Sequence, residues 1–134
     1  MGHPRLAVDG VIVIDGRLLT VLRGHPPFLA MHALPGGAVE LGESAEAAMA
    51  REIHEETGLR VRIDRIVGVY SDPKRDPRGH TVSVAYALRI EGGALKAGSD
   101  AAAVELVDPR NLPAMAFDHA SIVADFLAGG QRFS

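Results

Sequence analysis

Arg51, Glu52, Glu55 and Glu56 fall within six consecutive residues. On a helix, at about 100° per residue, they share an arc of roughly 140°, beside an apolar ridge made by Ala45, Met49 and Ile53. Such a helix buries one face and presents carboxylates next to it. Three carboxylates this close repel one another, and like charges one turn apart destabilise a helix, so the arrangement calls for compensation. An acidic face turned to water is one explanation. A divalent cation is the other. An all-oxygen ligand set, with no Cys and no suitably spaced His, selects a hard ion, Mg²⁺ or Mn²⁺, and such an ion points to phosphate chemistry.

The elements that must position this cluster are readable on both sides of it. Ser44 can cap a helix over Ala45 to Thr57, with Gly58 where a left-handed residue ends it. Upstream, strands are expected at about 5–14 and 17–23 around the hairpin signal Asp15-Gly16. A loop with three Pro and three Gly follows between Arg23 and Gly37, holding one short extended piece at Ala33-Leu34. Downstream, Val61, Ile63, Ile66, Val67 and Val69 read as a strand with a break at Asp64-Arg65, and 71–79 as a loop. Val82, Val84, Tyr86, Leu88 and Ile90 then alternate with Thr81, Ser83, Ala85, Ala87 and Arg89, a long strand with one strongly apolar face. A strand at 103–107 and an amphipathic helix at about 118–127 complete the order β, β, α, β, β, β, α. The packing solution is an α/β/α sandwich, a mixed β-sheet between helices, as a single domain over residues 1–134.

Composition narrows the partners. The 134 residues are 47% apolar and 23% charged, enough for one core and too hydrophobic for a disordered chain. Twelve Arg and two Lys are scattered under a net charge of -3, and aromatics are 4%, so neither a basic footprint nor a stacking platform for nucleic acid is present. Absence of Cys excludes disulfides, thiolate metal sites and Cys nucleophiles, and is compatible with a reducing cytoplasm. The N-terminus shows no apolar signal core, and the apolar run Val11 to Ile14 is far short of a membrane span. A cytoplasmic protein without a membrane partner is the expectation.

Gly37, Glu43, Arg51, Glu52, Ile53, Glu55, Glu56, Gly58 and Leu59 match the Nudix box at every defined position, a coincidence of order 10⁻⁸ from background frequencies. The chain thus resembles the Nudix hydrolases, and its element order resembles their fold. The resemblance implies water attacking a nucleoside diphosphate linked to another moiety, held by two or more Mg²⁺, with Mn²⁺ as a substitute. Glu52 and Glu56, one turn apart, are then the first metal ligands. Glu55 is similar to a further family ligand, and the Gly36 carbonyl resembles the family's backbone ligand. Arg51 takes an orienting role, and Glu43 either pairs with it or accepts amides at the helix start. The base that deprotonates water is a box glutamate, Glu52 or Glu55, in some relatives and an acid on a later loop in others. Asp100 is the loop candidate, with Glu105 in reserve.

Pro73, about fifteen residues past the box, resembles the mark of the ADP-ribose pyrophosphatase branch, as do the stretch 71–83 and Ala116-Phe117-Asp118-His119. On this resemblance the substrate is ADP-ribose, cleaved to AMP and ribose 5-phosphate. Arg75, Arg78 and His80 are candidates for phosphate or ribose contacts, Phe117 for stacking an adenine, and Arg23 for the pocket mouth. The alternatives are a housecleaning pyrophosphatase for a nucleotide sugar, dinucleotide or oxidised triphosphate, and a sensor that binds ADP-ribose without cleaving it. Dimerisation is common in the branch, and an N-terminal strand exposing Leu6, Val8 and Val11 could exchange between subunits. One departure from many relatives is His32 in place of a Trp before Leu34-Pro35-Gly36-Gly37.

Overall fold

A computed structural model describes residues 2–95, 103–129 and 132–133. In chain order its elements are β1 (Arg5–Val11), β2 (Val13–Ile14), β3 (Arg17–Leu22), β4 (His32–Ala33), β5 (Gly36–Ala38), α1 (Ala45–Thr57), β6 (Leu59–Tyr70), β7 (Thr81–Gly93), β8 (Ala103–Val107), α2 (His119–Leu127) and β9 (Arg132–Phe133). The expected long first strand is divided, because the chain leaves one sheet after Val11 and enters another at Val13. Asp15 (φ 50°) and Gly16 (φ 78°) then make the tight turn from β2 to β3, as the Asp-Gly pair implies. The short strand β5 was hidden in the glycine-rich loop.

The strands form two sheets. One has the order β5-β1-β7-β6-β9 and is mixed, with β1 parallel to β7 and β7 antiparallel to β6. The other joins β2, β4 and β8 to β3. Register shifts interrupt β6 at three places, one of them between Ile63 and Arg65, where the alternation breaks in the sequence. Strand β1 is an interior strand between β5 and β7, and Val8 and Val11 are buried in the chain's own core. Of the three residues expected to be exposed on this strand, Leu6 is exposed, at 42%.

Both faces of the first sheet are covered, and β7 shows how. Tyr86 and Leu88 pack with Met49 and Ile53 of α1, while Ala85 and Ala87 pack with Ile122 and Val123 of α2. Because alternate residues point to opposite faces, small alanines serve the α2 side, and the strand has two buried faces where its sequence suggested one. Met49 and Ile53 have no exposed surface, and truncating either to Ala would cost about 2–5 kcal/mol. Ser44 accepts the Ala47 N–H at the start of α1, and Gly58, at φ 81°, ends it. No helix among the described residues is long and apolar enough to cross a membrane.

Candidate active site

Helix α1 turns its acidic face towards β5 across a cleft of about 410 Å³. Of the carboxylates singled out in the sequence, Glu52, Glu55 and Glu56 line it, together with Gly36 and Gly37. Close approach favours glycine at both positions. A Cβ at Gly36 would meet the Val8 carbonyl oxygen, and one at Gly37 would lie 2.5–2.6 Å from the Glu52 carboxylate. Gly36 donates its N–H to Glu56 Oε2 at 3.1 Å.

Arg51 organises the acids from behind. Its Nε and Nη2 donate to Glu43 at 2.8 and 2.9 Å, its Nη1 to Glu52 at 2.9 Å and to Glu55 at 3.2 Å, and its Nη2 also to the Ala38 carbonyl at 3.0 Å. The hydrogen bond to Glu43, outweighing burial, raises the Arg51 pKa, and Arg51 in turn holds Glu43 down to about 2. Glu43 also accepts the N–H of Glu40, in the loop ahead of α1, at 3.0 Å, so of the two roles open to it in the sequence the pairing with Arg51 is the one met. Glu56 is the opposite case. Burial first, then the hydrogen bond and charge of Glu52, push its carboxyl up to about 9.

Among the described residues no three His, Asp or Glu side chains converge on one point. The donor chemistry nevertheless suits a hard divalent cation. The box side chains that line the cleft offer oxygen ligands, two glycines leave a backbone carbonyl approachable, and Glu56 is a buried carboxyl with no cationic side chain paired to it among the described residues.

Sequence reasoning missed two residues of this cleft. Asp9, in the middle of apolar β1, is 8% exposed and accepts the Ser83 hydroxyl at 2.5 Å. His119, at the start of α2, lies 3.5 Å from Asp9 through Nε2, while its Nδ1 accepts the Leu34 N–H at 2.9 Å. That bond fixes the Nε2–H tautomer, and burial lowers the ring's pKa, so His119 is a neutral donor. A carboxylate inside a run of buried-strand residues was the available signal for Asp9.

The other end of the cleft is cationic. Arg23, Arg75, Arg78 and Phe117 all line it, as expected, and Arg5 and Asp76 join them. Arg75 is held by Asp118 in a two-pronged pair at 2.5 and 2.8 Å; burial, which lowers its pKa, is outweighed by that carboxylate. Phe117 sits at φ 53°. Its ring centroid is 5.0 Å from the Arg23 guanidinium carbon, 5.4 Å from that of Arg78 and 4.8 Å from the Phe28 ring. The ring expected to stack a base is therefore flanked by two guanidiniums. His80 is a correction of a different kind. It is exposed, pairs its Nε2 with the Ser71 carbonyl at 3.0 Å and does not line the cleft. Glu105, on β8, does not line it either, and Asp100 lies outside the described residues. His32, where many relatives carry Trp, is held by backbone bonds with Ala114 and Ala116 and by Thr20 at 2.9 Å.

The NUDIX domain pattern matches residues 3–126. The chain belongs to the Nudix family. A Methanocaldococcus jannaschii protein named ADP-ribose pyrophosphatase is 50% identical to this Nudix hydrolase over 125 residues, which cover 93% of this chain and 74% of that one. A Bacillus subtilis protein named putative 8-oxo-dGTP diphosphatase is 37% identical over 125 residues, 90% of this chain and 79% of that one. Among solved structures, the NUDIX domain of Shewanella oneidensis NrtR complexed with ADP ribose superposes with a TM-score of 0.81 at 25% identity, covering 96% of this chain and 90% of that one.

Proposed function

We propose that this Nudix hydrolase cleaves ADP-ribose in the presence of Mg²⁺, giving AMP and ribose 5-phosphate. The observation that carries the reading is the cleft itself, which brings the box carboxylates and a cluster of arginines with Phe117 into one space. Over 93% of its length the chain is 50% identical to a relative bearing the name of that activity. Water adds across the anhydride. Its oxygen bonds to one phosphorus, the bond from that phosphorus to the bridging oxygen breaks, and the proton passes to a carboxylate and then to solvent.

Glu52, Glu56, Glu55 and the Gly36 carbonyl would hold the metal. Bound there, divalent cations neutralise phosphoryl oxygens and acidify a water. Gly36 and Gly37 let β5 lie close against β1 and the Glu52 carboxylate, and Arg51 fixes the carboxylates that face it. Glu56 gives up the proton favoured by its burial when a cation takes that place, so metal affinity rises with pH. Asp100 and the box glutamates Glu52 and Glu55 are the candidates for the base.

The test incubates purified protein and Mg²⁺ with ADP-ribose, NADH, diadenosine polyphosphates, GDP-mannose and 8-oxo-dGTP, with Glu56→Gln as control, and ranks kcat/KM by chromatography of products. ADP-ribose in the lead, yielding AMP, is the expected result. A lead for 8-oxo-dGTP would favour the housecleaning reading that the Bacillus relative's name suggests. Tight ADP-ribose binding without turnover would make the protein a sensor.

A further inference from the structure

The arginine end of the cleft contains a donor with nothing to bond. Arg23 Nη2 is fully buried and has no hydrogen-bond partner among the described residues, while Nε of the same side chain is used by the Pro27 carbonyl at 2.6 Å. A buried guanidinium N–H left without an acceptor is costly. The surroundings do not supply one. Asp76 is shared by Arg78 at 2.9 Å and Arg5 at 3.5 Å, and Asp118 is taken by Arg75. Among the described residues, Arg5, Arg75 and Arg78 each have Asp76 or Asp118 in contact, and of the four guanidiniums Arg23 has no carboxylate in contact. Burial first and then the nearby Arg78 act against its charge, outweighing the support of Asp76. Phe117, in a left-handed conformation, holds Arg23 and Arg78 at about the same distance from its ring.

From this arrangement, and resting on the reading of the site as a nucleoside diphosphate hydrolase, we propose that Arg23 and Arg78, spaced by Phe117, form a subsite for a phosphate monoester that the nucleotide carries in addition to the diphosphate being cleaved. An anion is the acceptor that satisfies Arg23 Nη2 and balances the excess of cations at once. Strand β1 gives the scale. Arg5, joined to Arg78 through Asp76, and Asp9, at the box end, lie on one face of β1 four residues apart, which is about 13 Å. Along that direction a nucleotide with its diphosphate at the carboxylates would present a phosphate on its ribose to the arginines. A base stacked on Phe117 would share the ring with Arg23 and Arg78 and would leave the donor unpaired.

Two measurements test this with Mg²⁺ present: calorimetric binding of adenosine 2′,5′-bisphosphate against AMP, and kcat/KM for 2′-phospho-ADP-ribose against ADP-ribose. We expect the extra phosphate to improve each by tenfold or more, and each ratio to fall towards one in Arg23→Gln. If Arg23→Gln does not fold, Arg78→Gln serves for the same ratios. Ratios within threefold of one in the unaltered protein overturn the proposal, as does a preference that survives the substitution in a folded variant. Hydrolysis of ADP-ribose with no such preference removes the subsite and leaves the proposed function standing. A bisphosphate preference lost in Arg23→Gln, with no ADP-ribose hydrolysis, keeps the subsite and removes the proposed substrate.

Discussion

The two ends of the cleft are built in opposite ways. At the acidic end nearly every group comes from residues 36–56, on β5 and α1, and one arginine ties four of them together. At the cationic end the groups come from β1, the loop after β3, the loop between β6 and β7 and the approach to α2. A helix fixes the spacing of its side chains by its own hydrogen bonds, so the acidic end is specified locally. The cationic end exists only when distant segments meet, and it depends on pairs such as Arg75 with Asp118, separated by 43 residues. The difference predicts that substitutions at the first end abolish chemistry, while those at the second alter affinity and substrate choice.

The largest effect is expected from Glu56→Gln. Turnover should fall beyond the roughly 10–100-fold seen when a residue only supports a metal ligand, with the fold intact by circular dichroism. The same variant has a thermodynamic signature. The folded-state pKa of Glu56 lies above its ordinary value of 4.5, so the folded metal-free chain binds a proton that the unfolded chain releases more readily. That stabilisation is complete below about pH 4.5 and is lost as pH rises towards 9. Melting of the metal-free protein should therefore shift to lower temperature between pH 5 and 9 on this account, the slope should flatten in Glu56→Gln, and Mg²⁺ should restore stability to the unaltered protein most at high pH. Near-normal turnover in Glu56→Gln would remove this residue from the chemistry.

The contrast between the ends also explains what could be read from the sequence. The box, its helix with Ser44 and Gly58 at its limits, and the Asp15-Gly16 turn are all local devices, and each stands where the sequence placed it. The short strand β5 was not legible, because Gly36-Gly37-Ala38 has no strand propensity and is recruited by pairing with β1. Asp9 and His119 were missed for a related reason. Their partners, Ser83 and Leu34, are 74 and 85 residues away, and no spacing rule joins them. His80 lies in the loop that supplies Arg75 and Arg78, yet its ring turns back to Ser71, a direction that loop membership does not reveal.

Arg51→Ala should cost about 10–100-fold in kcat, since Glu52 and Glu55 lose a common donor and Glu43 is left facing them. Arg51→Lys should recover little, because one ammonium cannot serve Glu43 and Glu52 through separate prongs. The adjacent glycines separate function from folding at the same end. In Gly37→Ala the new Cβ meets the far end of the flexible Glu52 side chain, so the fold should survive while Mg²⁺ affinity, read by titration calorimetry, falls about tenfold. In Gly36→Ala it meets the Val8 backbone, and the expected loss is in stability. Equal behaviour of the two variants would contradict the close approach of Gly37 to Glu52.

At the cationic end, Asp118→Ala leaves Arg75 buried without its carboxylate. Stability should fall by about 2 kcal/mol in denaturant unfolding, below the 3–5 kcal/mol of a fully enclosed pair because Asp118 is partly exposed. KM should rise more than kcat falls, since Arg75 lines the cleft without touching the box acids. His80→Ala, the smallest expected effect, should change kcat and KM by less than about twofold, as suits an exposed side chain away from functional features. It shares the loop of Arg75 and Arg78, so it separates loop position from cleft contact. A large rise in KM would mean that the loop closes over substrate and carries His80 inward, and the cationic end would then be assembled by the ligand as well as by the fold.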